Sequence, residues 1–315
     1  MGRKIIIDTD PGIDDSMAIF YALQSPELEV IGLTTVFGNA STSTCTTNAL
    51  RLLEIAGRSD IPVFSGAQRS LTRPFPGGAP WVHGADGQGN TDLAAPLLAA
   101  SMEPAAQFIA EQVLQSPGEV TLVAIAPLTN VALALLLYPD LATHIAQIVL
   151  MGGNAYREGN ASPAAEANIR NDPESADIVL GAECPVTMIG LDVTHKVMMS
   201  GHQLDQIGGF ANPRAEHLAR ILPFYRQFYR SRYGHDGIYV HDSTAISYLL
   251  NPSLFTLVSH PVRVDMSDGI SRGKTWPAEG DSDSELPWKD RRDVAIPVDV
   301  DAEAAIQMEI ERLAH

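Results

Sequence analysis

Ile5-Ile6-Ile7-Asp8-Thr9-Asp10-Pro11-Gly12-Ile13-Asp14-Asp15 is the stretch on which the fold turns. Three β-branched residues in a row favour a strand. Pro11-Gly12 ends it, and helical periodicity follows over roughly 15–24. A strand that turns directly into a helix is the first half of a βαβ unit. The same grammar recurs: 30–36 before a helix near 44–56, 120–125 before 128–137, 148–151 before 173–180, and 186–189 before a loop. Such alternation specifies an α/β fold, a mainly parallel open sheet flanked by helices on both faces with a Rossmann-like core. No linker interrupts the 315 residues, so one domain over 1–315 is expected.

In sheets of this kind ligands sit beyond the carboxyl ends of the strands. The unusual polar residues fall there: Asp8 and Asp10 after the first apolar run, Asn39 after the second, Asn154 and Asn160 after Met151. Two long polar, glycine-rich stretches, 69–91 and 202–211 running on to His241, read as loops able to cover a site. A third, 272–292, is rich in acid and proline and reads as a surface excursion. Phe224, Tyr225, Phe228 and Tyr229 have helical spacing, for which core packing is the plain explanation.

The formal charge is −17, from 21 Lys and Arg against 38 Asp and Glu. A nucleic-acid backbone and an anionic membrane both need a basic partner, so neither is expected; a small neutral or cationic ligand or a metal fits. Cys45 and Cys184 stand far apart in no metal-ligand spacing, which points to a reducing compartment, the cytoplasm. Only three apolar residues separate Arg3-Lys4 from Asp8, too few for a signal peptide. Residues 120–138 carry no charge, but Pro127-Leu128-Thr129-Asn130 breaks a run that would need ~20 residues to cross a bilayer. A buried strand followed by a helix accounts for it.

The four carboxylates at 8, 10, 14 and 15 need an explanation. Two like charges ~5 Å apart repel by roughly 3 kcal/mol at an effective dielectric near 20. A cation, raised pKa values or outward splaying would relieve them. Helix capping explains Asp14 or Asp15, but not Asp8 and Asp10 as well. Hard oxygen donors favour Ca²⁺ or Mg²⁺. An EF-hand loop is excluded, because counted from Asp8 the glycine position is Ile13 and the final glutamate position is Ile19. A haloacid-dehalogenase-type phosphatase also begins with an apolar strand and Asp-x-Asp. Its pattern places Thr or Val where this chain has Gly12, and it gives no reason for Asp14-Asp15.

Asp8-Thr-Asp10-Pro-Gly-Ile-Asp14-Asp15 resembles the signature of the inosine–uridine-preferring nucleoside hydrolases. Further features of that family follow in order: Asn39, His83-Gly-Ala-Asp-Gly87, Pro127-Leu-Thr-Asn130, Met151-Gly-Gly153, Asn160 with Glu166 and Asn168, and His241-Asp242. The resemblance covers nearly the whole chain. It implies the nucleoside hydrolase fold, hydrolysis of the N-glycosidic bond of ribonucleosides, and a homodimer or homotetramer. Asp10, Asp15, Asp242 and the carbonyl of Ile125 are implied as ligands of Ca²⁺, and Asp14 as the base that takes a proton from water.

By the same resemblance Glu166 and Asn160 serve the ribose 5′-hydroxyl, and Asn168 with Asp14 the 2′ and 3′ side. Asn39 positions Asp14, the water or the ribose, and Met151 packs beside the sugar. His241 is the acid for the leaving base, with His83 second, and Gln227 and Tyr229 are candidate base contacts. The chain departs from the family at Ala167, where an aromatic is common between the Glu and Asn, and at Ala126, where glycine is usual; its acidic stretch 279–285 is longer than typical. The competing classes are a metal-dependent phosphatase and a non-catalytic nucleoside or sugar sensor. Asp10, Asp14, Asp15, Asn168 and Asp242 together argue against lost catalysis.

Overall fold

The strand expected over 5–7 extends over Arg3–Thr9 (β1) and lies in the interior of the sheet. Its side chains alternate between two cores: Ile5 and Ile7 face one layer and Ile6 the other, and each is almost fully buried. Burial of each is worth about 2 kcal/mol, so a strand with no polar face is stable only between two covers. The computed structural model describes residues 2–279 and 287–315; of the acidic stretch 279–285, only Glu279 is among them.

After β1 come β2 (Leu28–Thr35), β3 (Val63–Ser65), β4 (Val120–Ala124), β5 (Gln147–Met151) and β6 (Val186–Ile189), each parallel to its neighbours. β7 (Met198–Ser200) and β8 (Gly237–Tyr239) form a separate antiparallel pair. β9 (Phe255–Val264), β10 (Thr275–Pro277) and β11 (Asp293–Val300) extend the main sheet, which among the described residues has nine strands in the order β10-β9-β11-β6-β5-β4-β1-β2-β3. β11 runs parallel to β6, while β9 and β10 each run antiparallel to their neighbour. The sheet is therefore mainly parallel, with an antiparallel edge the sequence did not announce.

Growth of the sheet reverses between β1 and β4. The chain adds β2 and β3 on one side of β1, then returns to add β4, β5 and β6 on the other. That reversal opens a crevice at the carboxyl ends of β1 and β4. Helices Ile13–Leu23, Thr42–Ile55, Pro213–Tyr233, Asp242–Leu250 and Ala302–Leu313 cover one face; Ala105–Gln115, Thr129–Leu137 and Pro173–Leu180 cover the other.

Two expectations need correction. The stretch running from 202 towards His241 is mostly helix, not loop: Gly201–Gly208 and the 21-residue Pro213–Tyr233. Leu218, Ile221, Leu222, Tyr225 and Tyr229 bury one stripe of the longer helix, which outweighs the bond lost at Pro223. Asn212 caps its start by accepting from the Ala215 amide, and Gly234 ends it in the left-handed conformation, φ +75°. The loop expected after β6 contains a short helix, Leu191–Thr194. The uncharged run 120–138 resolves into β4 and the helix Thr129–Leu137, and no described helix is long and apolar enough to cross a membrane.

Candidate active site

β1 stops at Thr9, and the turn through Pro11-Gly12 sets Asp14 and Asp15 in the first turn of the next helix. Asp15 is fully buried. Its Oδ1 accepts from the Thr9 hydroxyl (2.5 Å) and the Asp10 amide (3.2 Å); its Oδ2 accepts from the Gly12 amide and from Asn39 Nδ2, each at 3.0 Å. Four donors fix this carboxylate in one orientation. Asp10 Oδ2 accepts from the Asn39 amide at 2.6 Å, while its Oδ1 is buried without a partner. A Cβ on Gly38 would stand 1.8 Å from Asp10 Oδ2, so only glycine fits there.

Asp242 enters from far along the chain, at the start of the helix Asp242–Leu250. One oxygen each from Asp14, Asp15 and Asp242 lies within 4.8 Å of the other two. Asp10 stands outside that trio, but its charge acts on Asp242. Burial raises the pKa of all four, and mutual repulsion adds to it: Asp15 raises Asp10, Asp14 raises Asp15, and Asp14, Asp15 and Asp10 raise Asp242. An unpaired carboxylate oxygen in the interior costs at least 1–3 kcal/mol. The buried carboxylates of Asp15 and Asp242 with the partly exposed Asp14, beside an orphaned Asp10 Oδ1, are what a hard divalent cation would relieve, and every donor here is oxygen. Asp8 stands apart: its Oδ1 accepts from Thr34 and Asn130, and it holds β1 to its neighbours.

Asp14 and Asp242 open into a cavity of about 980 Å³ whose wall also includes Asn39, His83, Ile125, Met151, Asn160, Glu166, Asn168, Tyr229 and His241, while Asp10 and Asp15 lie outside its lining. Of the sequence candidates, Gln227 is exposed and does not line it. Tyr225, whose helical spacing suggests core packing, does line it. So do Trp81 and four arginines at 73, 170, 232 and 272, for which no motif gave a signal. Asn39 bonds Asp15 and Asp10 rather than Asp14. Asn168 Nδ2 donates to the carbonyls of Ile125 (3.2 Å) and Met151 (3.1 Å), tying the ends of β4 and β5 together. Glu166 caps the helix Ala167–Asn171, accepting from the amides of Gly153, Asn168 and Ile169. Asn160 Oδ1 accepts from the Ala167 amide.

A line of hydroxyls joins Asp14 to His241. The Tyr225 hydroxyl donates to Asp14 Oδ2 (3.0 Å) and lies 3.3 Å from the Tyr229 hydroxyl, which lies 3.2 Å from His241 Nε2; His241 Nδ1 is 2.9 Å from Thr194 Oγ1. An ionised carboxylate only accepts, so Tyr225 must donate to Asp14. Tyr229 then donates to Tyr225, His241 carries its proton on Nε2, and Nδ1 accepts from Thr194. Burial raises both tyrosines well above their usual range, which keeps them neutral donors. Burial, with His195 and His83 nearby, pushes His241 down to about 3. His83 Nδ1 accepts from the Ile13 amide (3.2 Å), and burial pushes that ring down to about 4. Both histidines are thus neutral Nε2–H donors.

A doubly covered parallel sheet, a switch-point crevice and a cluster of carboxylates that could hold a metal, beside a cavity roomy enough for a whole nucleoside, fit a glycosidic hydrolase. The sequence profile of the inosine-uridine preferring nucleoside hydrolases matches residues 5–307, and the chain belongs to that family. It is a hydrolase of N-glycosidic bonds acting on ribonucleosides, in a family of metal-dependent enzymes. The chain is 43% identical over 314 residues to a probable uridine nucleosidase 2 of Arabidopsis thaliana, covering 99% of this chain and 97% of that one. Among solved structures it superposes on a plant nucleoside hydrolase with a TM-score of 0.97 at 41% identity, covering 100% and 99% of the two chains. A purine-preferring ribonucleoside hydrolase from Gardnerella vaginalis gives 0.92 at 31% identity, covering 99% and 98%.

Proposed function

We propose that this hydrolase splits uridine and related ribonucleosides to ribose and free base, with Asp14 as general base and the His241–Tyr229 pair delivering a proton to the departing base. The carrying observation is that base and acid stand on one hydrogen-bonded line along the wall of one cavity. Asp10, Asp15, Asp242 and the Ile125 carbonyl would hold Ca²⁺, whose charge, when bound, orients ribose hydroxyls and makes a water more acidic. Asp14, tied to Tyr225 at one oxygen and to the Asp15 amide at the other, takes the proton from that water.

As the sugar becomes oxocarbenium-like, the surrounding acidic groups favour its positive charge. Asn168 and Asp14 serve the 2′ and 3′ side, Asn160 and Glu166 the 5′-hydroxyl, and Met151 packs beside the ring. Asn39 keeps Asp10 and Asp15 in place. Both nitrogens of the neutral His241 are engaged, so the proton that reaches the leaving base is that of the Tyr229 hydroxyl; the His241 Nε2–H stabilises the phenolate so formed, and the proton Asp14 took from water returns to it through Tyr225, with His83 a second donor. Uridine is favoured as substrate by the Arabidopsis thaliana relative, whose name specifies it. Work as a homodimer or homotetramer in the cytoplasm, on nucleosides rather than nucleic acids or membranes, belongs to the same reading.

The test is to incubate the purified protein with uridine, inosine, cytidine and adenosine and to quantify ribose and base. Uridine should yield ribose and uracil in equal amounts. Phosphate released from uridine 5′-monophosphate with no ribose from any nucleoside would favour the phosphatase and overturn the reading. Binding without turnover would favour the sensor.

A further inference from the structure

The segment after β5 carries Asn160 and Glu166, yet residues 152–166 form no helix or strand. Two buried charges from distant parts of the chain hold its start. Asp192, in the short helix Leu191–Thr194, accepts from the Ala155 amide at Oδ2 and from the Tyr156 amide at Oδ1, each at 2.8 Å. Lys274, one residue before β10, donates from Nζ to the carbonyls of Asn154 (2.5 Å), Ala155 (3.2 Å) and Arg157 (3.2 Å). The ammonium spends its three hydrogens on three carbonyls, while the carboxylate takes the neighbouring amides. The loop backbone is gripped from both sides by opposite charges, each less than 10% exposed.

The grip reaches the sugar side through Asn154. The Asn154 amide donates to Thr275 Oγ1 at 2.9 Å; its side chain donates to the carbonyls of Arg157 (2.8 Å) and Ala164 (2.9 Å) and accepts from the Glu166 amide (3.2 Å). Asn160 then receives the Ala167 amide (3.0 Å). Thus 154, 157, 160, 164, 166 and 167 form one framework, and its anchors are Lys274 and Asp192. A buried ammonium is costly to desolvate, and burial pulls the Lys274 pKa down against the charge of Asp192. That cost is offset only while all three carbonyls stay in reach. The antiparallel edge β9–β10 brings this cation across the sheet.

We propose that Lys274 and Asp192 are positioning residues for recognition of the ribose 5′-hydroxyl, acting through Asn154 on Asn160 and Glu166. This rests on the reading that Asn160 and Glu166 face that hydroxyl. The experiment compares kcat/KM for uridine and 5′-deoxyuridine in the wild type, Lys274→Met, Lys274→Arg and Asp192→Asn, with amide hydrogen exchange over 152–168. In the wild type, loss of the 5′-hydroxyl should cost on the order of 30-fold, the effect of hydrogen bonds to a charged group. Lys274→Met should lose about 10-fold on uridine, mostly in KM, and under about 3-fold on 5′-deoxyuridine, because the hydroxyl is already poorly read. Lys274→Arg should recover part of the difference.

Equal losses on both substrates would overturn the proposal, since general damage ignores the hydroxyl. If Lys274→Met does not fold, Asp192→Asn reads the same coupling. Hydrogen exchange separates this claim from the catalytic one. A wild type inactive on every nucleoside refutes the function reading, whereas exchange over 152–168 that stays at wild-type rates in Lys274→Met and Asp192→Asn refutes the grip.

Discussion

Replacing Asp14 with Asn tests the base most sharply, because the substitution changes chemistry while nearly preserving shape. Asp14 accepts from the Tyr225 hydroxyl (3.0 Å) and from the Asp15 amide (3.3 Å). Asn keeps one acceptor oxygen, so one of these two bonds is lost, at about 1 kcal/mol. Against that loss, a negative charge leaves a group in which Asp14 raises the pKa of both Asp15 and Asp242. At an effective dielectric near 20, each such repulsion ~5 Å long is worth about 3 kcal/mol. The variant should therefore fold at least as well as the wild type when chelator is present, read by its Tm. Turnover should nonetheless fall by about 10³-fold, within the range for loss of a positioned general base and equivalent to ~4 kcal/mol of barrier. The assay is the absorbance change as uracil leaves uridine, at saturating substrate. A kcat within about tenfold of wild type, in a folded variant, would refute the role of Asp14.

His241→Ala and Tyr229→Phe should each cost far more on uridine than on a nitrophenyl riboside, whose leaving group departs without a proton; equal losses on both substrates would remove the pair from the acid role. Exhaustive chelation should abolish uridine hydrolysis and added Ca²⁺ should restore it, whereas full activity after chelation would contradict the metal requirement. Glu309 is a different kind of test. Its Oε1 accepts from Ser243 Oγ (2.7 Å), and burial pushes its pKa up to about 7 from a usual 4.5. The folded state therefore favours the protonated carboxyl: the stability this provides is complete below about pH 4.5 and is lost as pH rises through 7, about 3 kcal/mol in all. Glu309→Gln should raise Tm at pH 8 by a few degrees and leave it little changed at pH 4; an equal shift at both would refute the assignment.

The parallel core was legible because its signals are local. A β-branched run, a Pro-Gly turn and a helix start lie within eleven residues, and the carboxylates at 10, 14 and 15 fall where the strand stops. Family resemblance then supplied partners from far along the chain, and Asp242 does meet Asp14 and Asp15. Gln227 falls outside the cavity because of helix geometry. On a helix advancing 100° per residue, position 229 returns to the face of 225 while 227 points away, so Tyr225 and Tyr229 reach the cavity together. The helix Pro213–Tyr233 was hidden by glycines before it and Pro223 within it, although Asn212-Pro213 and Gly234 are ordinary start and stop signals. The antiparallel edge and the reach of Lys274 to Asn154 were not legible at all. Lys274 and Asn154 stand 120 residues apart, and no local pattern encodes such a contact; β10 lies inside the polar stretch 272–292, whose composition reads as surface.

Isothermal titration of Ca²⁺ into metal-stripped protein, wild type beside Asp242→Asn, reaches the carboxylate cluster itself. One ion per chain in the wild type, with binding lost or severely weakened in the variant while its Tm is retained, is the predicted outcome. No heat of binding in the wild type, or the same stoichiometry and affinity in both proteins, would contradict the account.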